Sequence, residues 1–489
     1  MRSKLAIAVS AVILLSGVLP FHAQASRTDD HALVSSLLDA RGSQLEELAM
    51  TLWAQPELGY LEHASSRRLQ EALSEAGFEV ESGIAGMPTA FVASTGKRGK
   101  GPVVALLAEM DALPGASQAA LPQRAAVDGQ ADGHACGHNL FGAGAVAAAI
   151  AIGEWLQASG VDGEVRLYGT PAEEGGSGKV YLARAGVFDD VDVVLHWHPA
   201  AANSAAQDGS LANVSGKFRF EGVASHAAIA PERGRSALDG VESLNFMANL
   251  MREHVPDGTR IHYTISDGGA APNVVPATAE AYYYVRHADH RVVREVLARL
   301  RAAAEGAALG TGTRVEWQPL GGVYGLLPND TLGQAADAAL REVGGVDYSP
   351  TEAAFAHAIQ ATLERRPPLE SAGEVGQYRV DGPGLASTDV GDVSWQAPTV
   401  GLSTATWVPG TGAHSWQATA ASGHPVGIKG TRVAAEALAL LATRMYRDPE
   451  LVARARGEFE RRRDKDFVYR PLVEREQPPL DYRLPAPGR

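Results

Sequence analysis

The rhythm of apolar runs changes near residue 211, and that change constrains the fold more than any other feature of the chain. Before it, short apolar runs at 103–107, 165–168 and 191–195 alternate with helical stretches at 142–156 and 179–185. Strands that alternate with helices argue for a mostly parallel sheet with helices on both faces. From 211 to 325 the order becomes strand (217–221), helix (236–254), strand (260–265), strand (279–285), helix (291–304), strand (314–318). This is the ferredoxin-like order. The first pattern resumes after Leu326 and closes on a helix at 428–446. The expected architecture is therefore an α/β domain in two pieces, 26–210 and 326–446, with a ferredoxin-like α+β insert at 211–325 and a tail at 447–489. Two helices are expected between Asp30 and Glu79, and Arg461-Arg462-Arg463 reads as a solvated helix face.

Composition removes some function classes. Acidic residues outnumber basic ones 57 to 43, for a net charge of −14. That gives no general attraction to phosphate backbones, so no nucleic-acid partner is expected. At the amino terminus, Arg2 and Lys4 precede an apolar run at 5–19, followed by Ala23-Gln24-Ala25. This is the order of a secretory signal, and the run falls short of the roughly 20 residues of a membrane span. No later segment is expected to reach spanning length. Residues 1–25 are read as a signal peptide and the protein as exported, to a periplasm, with no membrane attachment after cleavage. The chain has one cysteine, Cys136. An unpaired thiol in an oxidising compartment needs a reason, either burial as a small apolar group or metal ligation.

Four stretches carry metal-competent side chains. Gly133-His134-Ala135-Cys136-Gly137-His138 places a thiolate and an imidazole two residues apart, so both can face one ion only from an irregular backbone, which the glycines permit. Gly169-Thr170-Pro171-Ala172-Glu173-Glu174 sets two carboxylates after an expected strand, where one can bind metal while the other handles protons. His196-Trp197-His198-Pro199 follows another expected strand, and His414-Ser415-Trp416 lies in a Gly-rich loop. A phosphate loop fails at Gly175-Gly176-Ser177-Gly178-Lys179, because Val180 stands where Ser or Thr is needed.

Together with Met110-Asp111-Ala112-Leu113-Pro114 and Ser225-His226-Ala227-Ala228, these motifs resemble the dinuclear-metal aminoacylase/carboxypeptidase superfamily of amidohydrolases. The likeness is to its branch with a cysteine ligand, which holds auxin-conjugate, aminobenzoyl-glutamate and indoleacetyl-aspartate hydrolases. His138-Asn139-Leu140-Phe141-Gly142 and Ser387-Thr388-Asp389-Val390-Gly391-Asp392 carry the last part of it. The resemblance covers roughly residues 30–445. It implies Cys136, His138, Glu174, His198 and His414 as ligands of two divalent ions, manganese or zinc, with Cys136 bridging. Glu173 is implied as general base and Asp111 as support for the cluster. His226 is implied to reach a dimer partner's site and stabilise an oxyanion, and Asn273 to contact a substrate carboxylate. Arg233, Arg235 and Arg286 give the insert an anion-ready face. Glu109 stands where relatives outside the branch have His, so its role as a ligand is open. The implied activity is hydrolysis of N-acyl amino acids by a homodimer or a heterodimer with a related subunit. A carboxypeptidase or dipeptidase of the same fold and a non-catalytic periplasmic metal- or solute-binding protein are the alternatives.

Overall fold

The computed structural model describes residues 21–484, with side chains from residue 29. The leader through residue 20, and Pro485 and Pro487 of the tail, lie outside the described residues. Among the described residues, ten strands divide between two sheets. In chain order they are β1 (Glu79–Ser82), β2 (Phe91–Gly96), β3 (Val103–Ala108), β4 (Glu164–Gly169), β5 (Val193–Ala200), β6 (Ala212–Glu221), β7 (Arg260–Asp267), β8 (Thr278–His287), β9 (Arg314–Val323) and β10 (Thr399–Ala405).

The larger sheet has the order β1-β2-β4-β3-β5-β10. It is parallel from β4 to β10, while β2 runs antiparallel to both of its neighbours. β3 is apolar and β4 mostly so, with Arg166 paired to Glu164, and both are buried almost throughout, as strands covered on both faces must be. Along β3, Val104 and Leu106 pack against one face, where the helices His138–Ser159 and Pro425–Arg447 lie. Ala105 and Leu107 face the other side, toward Tyr168, Val180 and Val390. Small residues let the helix His138–Ser159 settle close: a Cβ on Gly144 would come within 2.8 Å of Trp197 and 2.9 Å of Thr431. By length and apolarity this helix is sufficient to cross a membrane, contrary to the expectation from sequence, but it is buried in the core.

The smaller sheet is wholly antiparallel in the order β7-β8-β6-β9. The helices Ala237–Met251 and His290–Thr311 close its core on Phe218, Phe220, Val241, Leu244, Tyr283, Val296 and Leu300. The ferredoxin-like order is therefore realised in space as well as along the chain.

Four details differ from the sequence reading. Three helices, not two, precede β1: Phe21–Ala40, Gly42–Ala54 and His63–Glu75. β2 and β10 are not expected from the sequence, because Ser, Thr and Gly dilute their apolar signal. β5 continues through the His-Trp-His-Pro motif instead of stopping before it. β3 pairs with β5 only as far as Leu195, so the N–H that Pro199 lacks breaks no ladder on that side.

The fourth detail is the tail, which is built into the fold. The helix Pro449–Arg462 buries Leu451, Val452, Ala455 and Phe459. Within the basic cluster, Arg462 pairs with Glu458 and Asp381, and Arg463 stacks on Phe459 and Phe467. Beyond it, Leu472 joins the core of the small sheet and Val473 the core of the large one.

Replacing a helical glycine usually gains up to about 1 kcal/mol, whereas overpacking a core costs ~1–3 kcal/mol. Gly144→Val should therefore lower the midpoint of chemical denaturation, and an unchanged or raised midpoint would contradict this packing.

Candidate metal centre

The C-terminal ends of the four parallel strands converge, the place where open α/β sheets bind ligands. β3 leads into Glu109 and Asp111, and β4 into Glu173 and Glu174. β5 carries His198 near its end, and the loop after β10 supplies His414. Cys136 and His138 come from the start of the helix His138–Ser159. Gly137 between them sits at φ 76°, in a left-handed conformation that costs other residues ~1–2 kcal/mol. That turn lets two side chains only two residues apart meet.

All five expected ligands meet in two triads. Donor atoms of Cys136, His138 and His198 lie within 4.8 Å of one another, as do those of Cys136, Glu174 and His414. The Cys136 sulfur belongs to both. Glu109, His138 and Glu173 form a third such group. His198 Nε2 is 3.5 Å from Cys136 Sγ, while its Nδ1 lies 2.7 Å from the Pro199 carbonyl, which fixes the ring. His196, the other histidine of its motif, packs against Gly401 instead.

Asp111 organises the cluster. One of its oxygens is 3.0 Å from His138 Nδ1, and the other accepts the Glu174 N–H at 2.8 Å. His138 Nε2 and Glu109 Oε2 lie 3.1 Å apart, and so do His414 Nε2 and Glu174 Oε1. Yet His138 Nε2, Glu109 Oε2 and Glu174 Oε1 are buried and make no hydrogen bond. Buried polar atoms without partners cost about 1–3 kcal/mol each, and here they are aimed at shared space among thiolate and imidazole donors. That donor set suits a borderline-soft divalent ion, with Asp111 orienting an imidazole as such sites require.

Electrostatics agree with this arrangement. Burial alone would raise the Cys136 thiol, but the His138 and His198 imidazoles carry it well below its ordinary value. Burial opposes protonation of His138, which Cys136, Glu109 and Asp111 nevertheless raise. The Cys136 and Glu174 side chains beside it push His414 up to about 10. Burial, then the charges of Glu109, Asp389 and Glu174, hold Glu173 well above the usual carboxylate range.

Three contributors escape the sequence reading. Lys179, fully buried, lies 2.7 Å from Glu109 and 2.7 Å from Asp389. In the sequence it belongs only to a failed phosphate loop, and its partners lie about 70 and 210 positions away. Asp389 is visible there only within a motif likeness. Glu62 accepts the Ala172 N–H at 2.8 Å and the Thr89 hydroxyl at 3.1 Å, and burial beside Asp111 pushes it up to about 8. It thereby secures Ala172, a non-glycine residue at φ 58° just before Glu173. No local pattern marks Glu62, since its partners are distant backbone and hydroxyl groups.

The remaining expected site residues lie apart from this cluster. His226 is exposed, and its Nδ1 accepts the N–H groups of Ala228 and Ile229. Asn273 is exposed on the facing segment, where its carbonyl accepts the Ala227 N–H. The exposed Arg235 bonds to the Glu232 and Gly234 carbonyls. Half-buried Arg286 stacks on Tyr284 and lies 3.4 Å from the Ser387 hydroxyl, in the loop leading to Asp389. Arg233 is exposed beside Glu232.

Comparison with known proteins agrees with the geometry. The family model described as a peptidase dimerisation domain matches residues 210–311. The chain is 38% identical to one of the subunits of p-aminobenzoyl-glutamate hydrolase from Escherichia coli, over 90% of this chain and 97% of that protein. It is 31% identical to an Xaa-Arg dipeptidase of Mus musculus, over 86% and 90% of the two chains. Its fold is similar to that of a dinuclear metal-binding peptidase of the M20 family from Bacillus subtilis, with a TM-score of 0.56 at 21% identity over 84% of this chain and 99% of the other.

Lys179→Met should destabilise the protein by about 3–5 kcal/mol at pH 7, because it strands two buried carboxylates. Burial already raises Asp389, so the folded variant takes up a proton there before the unfolded chain does. The deficit should therefore narrow as pH falls toward 5. Denaturation curves at both pH values check this; equal stability of variant and parent at pH 7 would contradict the pairing.

Proposed function

The chain belongs to the M20 family of metal-dependent amidohydrolases, and from that premise we propose that it cleaves the amide bond between an acyl group and an amino acid. The substrate class is N-acyl-glutamate or N-acyl-aspartate, of the aminobenzoyl-glutamate or indoleacetyl-aspartate kind. One observation carries this reading: two donor triads share a single thiolate, and the Glu173 carboxyl stands beside them within 4.8 Å of His138 and Glu109 donor atoms. Similarity to the p-aminobenzoyl-glutamate hydrolase chain over nearly the whole length supports the substrate class.

Cys136 would be shared between two divalent ions, manganese or zinc, with His138 and His198 on one side and Glu174 and His414 on the other. When bound, such ions supply Lewis acidity toward the amide oxygen and acidify a water. Glu173 takes the proton of the attacking water and delivers it to the leaving amine. A carboxyl held above its ordinary range, as Glu173 is, suits both halves of that transfer near neutral pH. Asp111 keeps His138 and the Glu174 backbone in register throughout.

His226, Asn273, Arg235 and Arg286 belong to the segment that matches the dimerisation domain. In this reading His226 and Asn273 act across a dimer, on the oxyanion and the substrate carboxylate, while the arginines draw in the anionic substrate. An oxyanion donor of this kind is worth about 2.7–4 kcal/mol. Exposed Phe246, Leu250 and Ile265 on the same segment support pairing with a second copy or a related subunit. The amino-terminal pattern supports export to a periplasm.

A dipeptidase is the second reading, favoured by the 31% identity to the Xaa-Arg dipeptidase. A protein that only binds metal or solute would have no use for Glu173.

Glu173→Ala should retain both metal equivalents by elemental analysis yet lose about 10²–10⁴-fold in kcat. An active alanine variant would reject the base assignment. With N-acyl-glutamates, N-acyl-aspartates and dipeptides compared by kcat/KM, the N-acyl acids should lead; a dipeptide in the lead would favour the second reading.

A further inference from the structure

The Glu174 backbone belongs to no helix or strand, and side chains from distant parts of the chain hold both of its polar groups. Its N–H goes to Asp111 at 2.8 Å. Its carbonyl accepts two donors from the far carboxyl end: the Tyr482 hydroxyl at 3.1 Å and the Arg483 guanidinium. The Arg483 guanidinium lies over the Tyr482 ring, 4.7 Å from its centroid. Tyr482 is wedged in place by Tyr60, whose ring meets it edge-on at 5.7 Å and whose hydroxyl bonds to the Gly176 carbonyl at 2.8 Å. A side chain at Gly59 would run into the Tyr482 hydroxyl, so this seat exists only because residue 59 is glycine.

The segment that ends there is fastened along its length. Arg294, on the helix His290–Thr311, bonds to the Arg470 carbonyl, and Arg301 on the same helix pairs with Glu474. Arg184, at the end of the helix after the glutamate turn, bonds to the carbonyls of Val473, Arg475 and Glu476. One stretch of chain thus grips the small-sheet domain, crosses to the large one and finishes on the turn that carries Glu173 and Glu174. Two backbone bonds close that turn, Gly175 N–H to the Glu173 carbonyl and Gly176 N–H to the Ala172 carbonyl, but its non-glycine residues Ala172 and Ser177 sit at φ 58° and 57°. Conformations of this kind persist only where the surroundings enforce them.

We propose that Tyr482 and Arg483 are positioning residues for the metal centre, holding the Glu174 peptide so that its carboxylate faces Cys136 and His414. This rests on the reading of Glu174 as a ligand. Through the same stretch, the seat of the small-sheet domain and the set of the glutamate turn are mechanically joined.

The test is a titration of the metal-free full-length protein with manganese, followed by kinetics at saturating metal. Parent protein should bind two equivalents. In Arg483→Ala and in Tyr482→Phe, one equivalent should bind about 10- to 100-fold more weakly, as when a support of a metal ligand is lost. kcat should fall while KM changes little, since the substrate is not touched. Arg483→Lys, which keeps a donor, should recover most of the loss. Gly59→Ala, whose new Cβ would meet both the Tyr482 hydroxyl and Ala172 of the turn, should weaken the same equivalent. Tyr482→Phe removes a single hydroxyl, so it keeps the test valid should Arg483→Ala unfold. Glu174→Ala separates the two claims. If it keeps both equivalents, the ligand reading is wrong. If it loses one while Tyr482→Phe and Arg483→Ala both bind manganese like the parent, the clasp is wrong.

Discussion

Negative charge packed at one end of a sheet is the constraint to which the rest of the structure answers. Glu109, Asp111 and Asp389 are each about 1% exposed, and Glu173, Glu174 and the Cys136 thiolate crowd against them. Buried charges of one sign are costly unless cations or donors face them. Lys179, fully buried, meets two of these carboxylates, and Asp111 spends its oxygens on an imidazole and a backbone N–H. Three buried atoms without a hydrogen bond remain, on Glu109, His138 and Glu174; His138 and Glu174 share a donor group with the Cys136 thiolate, and Glu109 shares one with His138. A divalent ion in each triad would offset that imbalance, which is why the cluster is read as a candidate metal centre and not as a strained core.

The scaffold supplies precision where the site residues themselves have none. Parallel strands β3, β4, β5 and β10 end on one side, so residues from Glu109 to His414 meet there without long excursions. The glutamate turn and His414 adopt left-handed backbone at non-glycine residues, with Ala172 at φ 58° and His414 at φ 60°. Strain of this sort gathers at functional sites and is maintained by neighbours. Here the neighbours are Glu62, before the third helix, and Tyr482 with Arg483 from the carboxyl end, so widely separated parts of the chain bear on one short turn.

Much of this is legible in the sequence because the relevant signals are local. β3 is an unbroken apolar run, the βαββαβ order is linear, and Cys136-Gly137-His138 declares its own backbone requirement. What is not legible depends on distance. Lys179 finds Glu109 and Asp389 only after folding, and Glu62 finds Ala172 across 110 positions. β10 escapes notice because Gly401, Ser403 and Thr404 interrupt its apolar face, and its pairing with β5 supplies what composition does not. The carboxyl-terminal stretch reads as a loose tail, since prolines and charges dominate it. Part of its anchoring rests on backbone carbonyls that any sequence possesses, gripped by Arg184 and Arg294 from elsewhere.

The most direct measurement of the central claim is anomalous diffraction at the manganese absorption edge, on crystals grown with that ion. Two peaks are predicted, one on each side of the Cys136 sulfur, the first bounded by His138 and His198 and the second by Glu174 and His414. No peak within bonding distance of Cys136 would contradict the account.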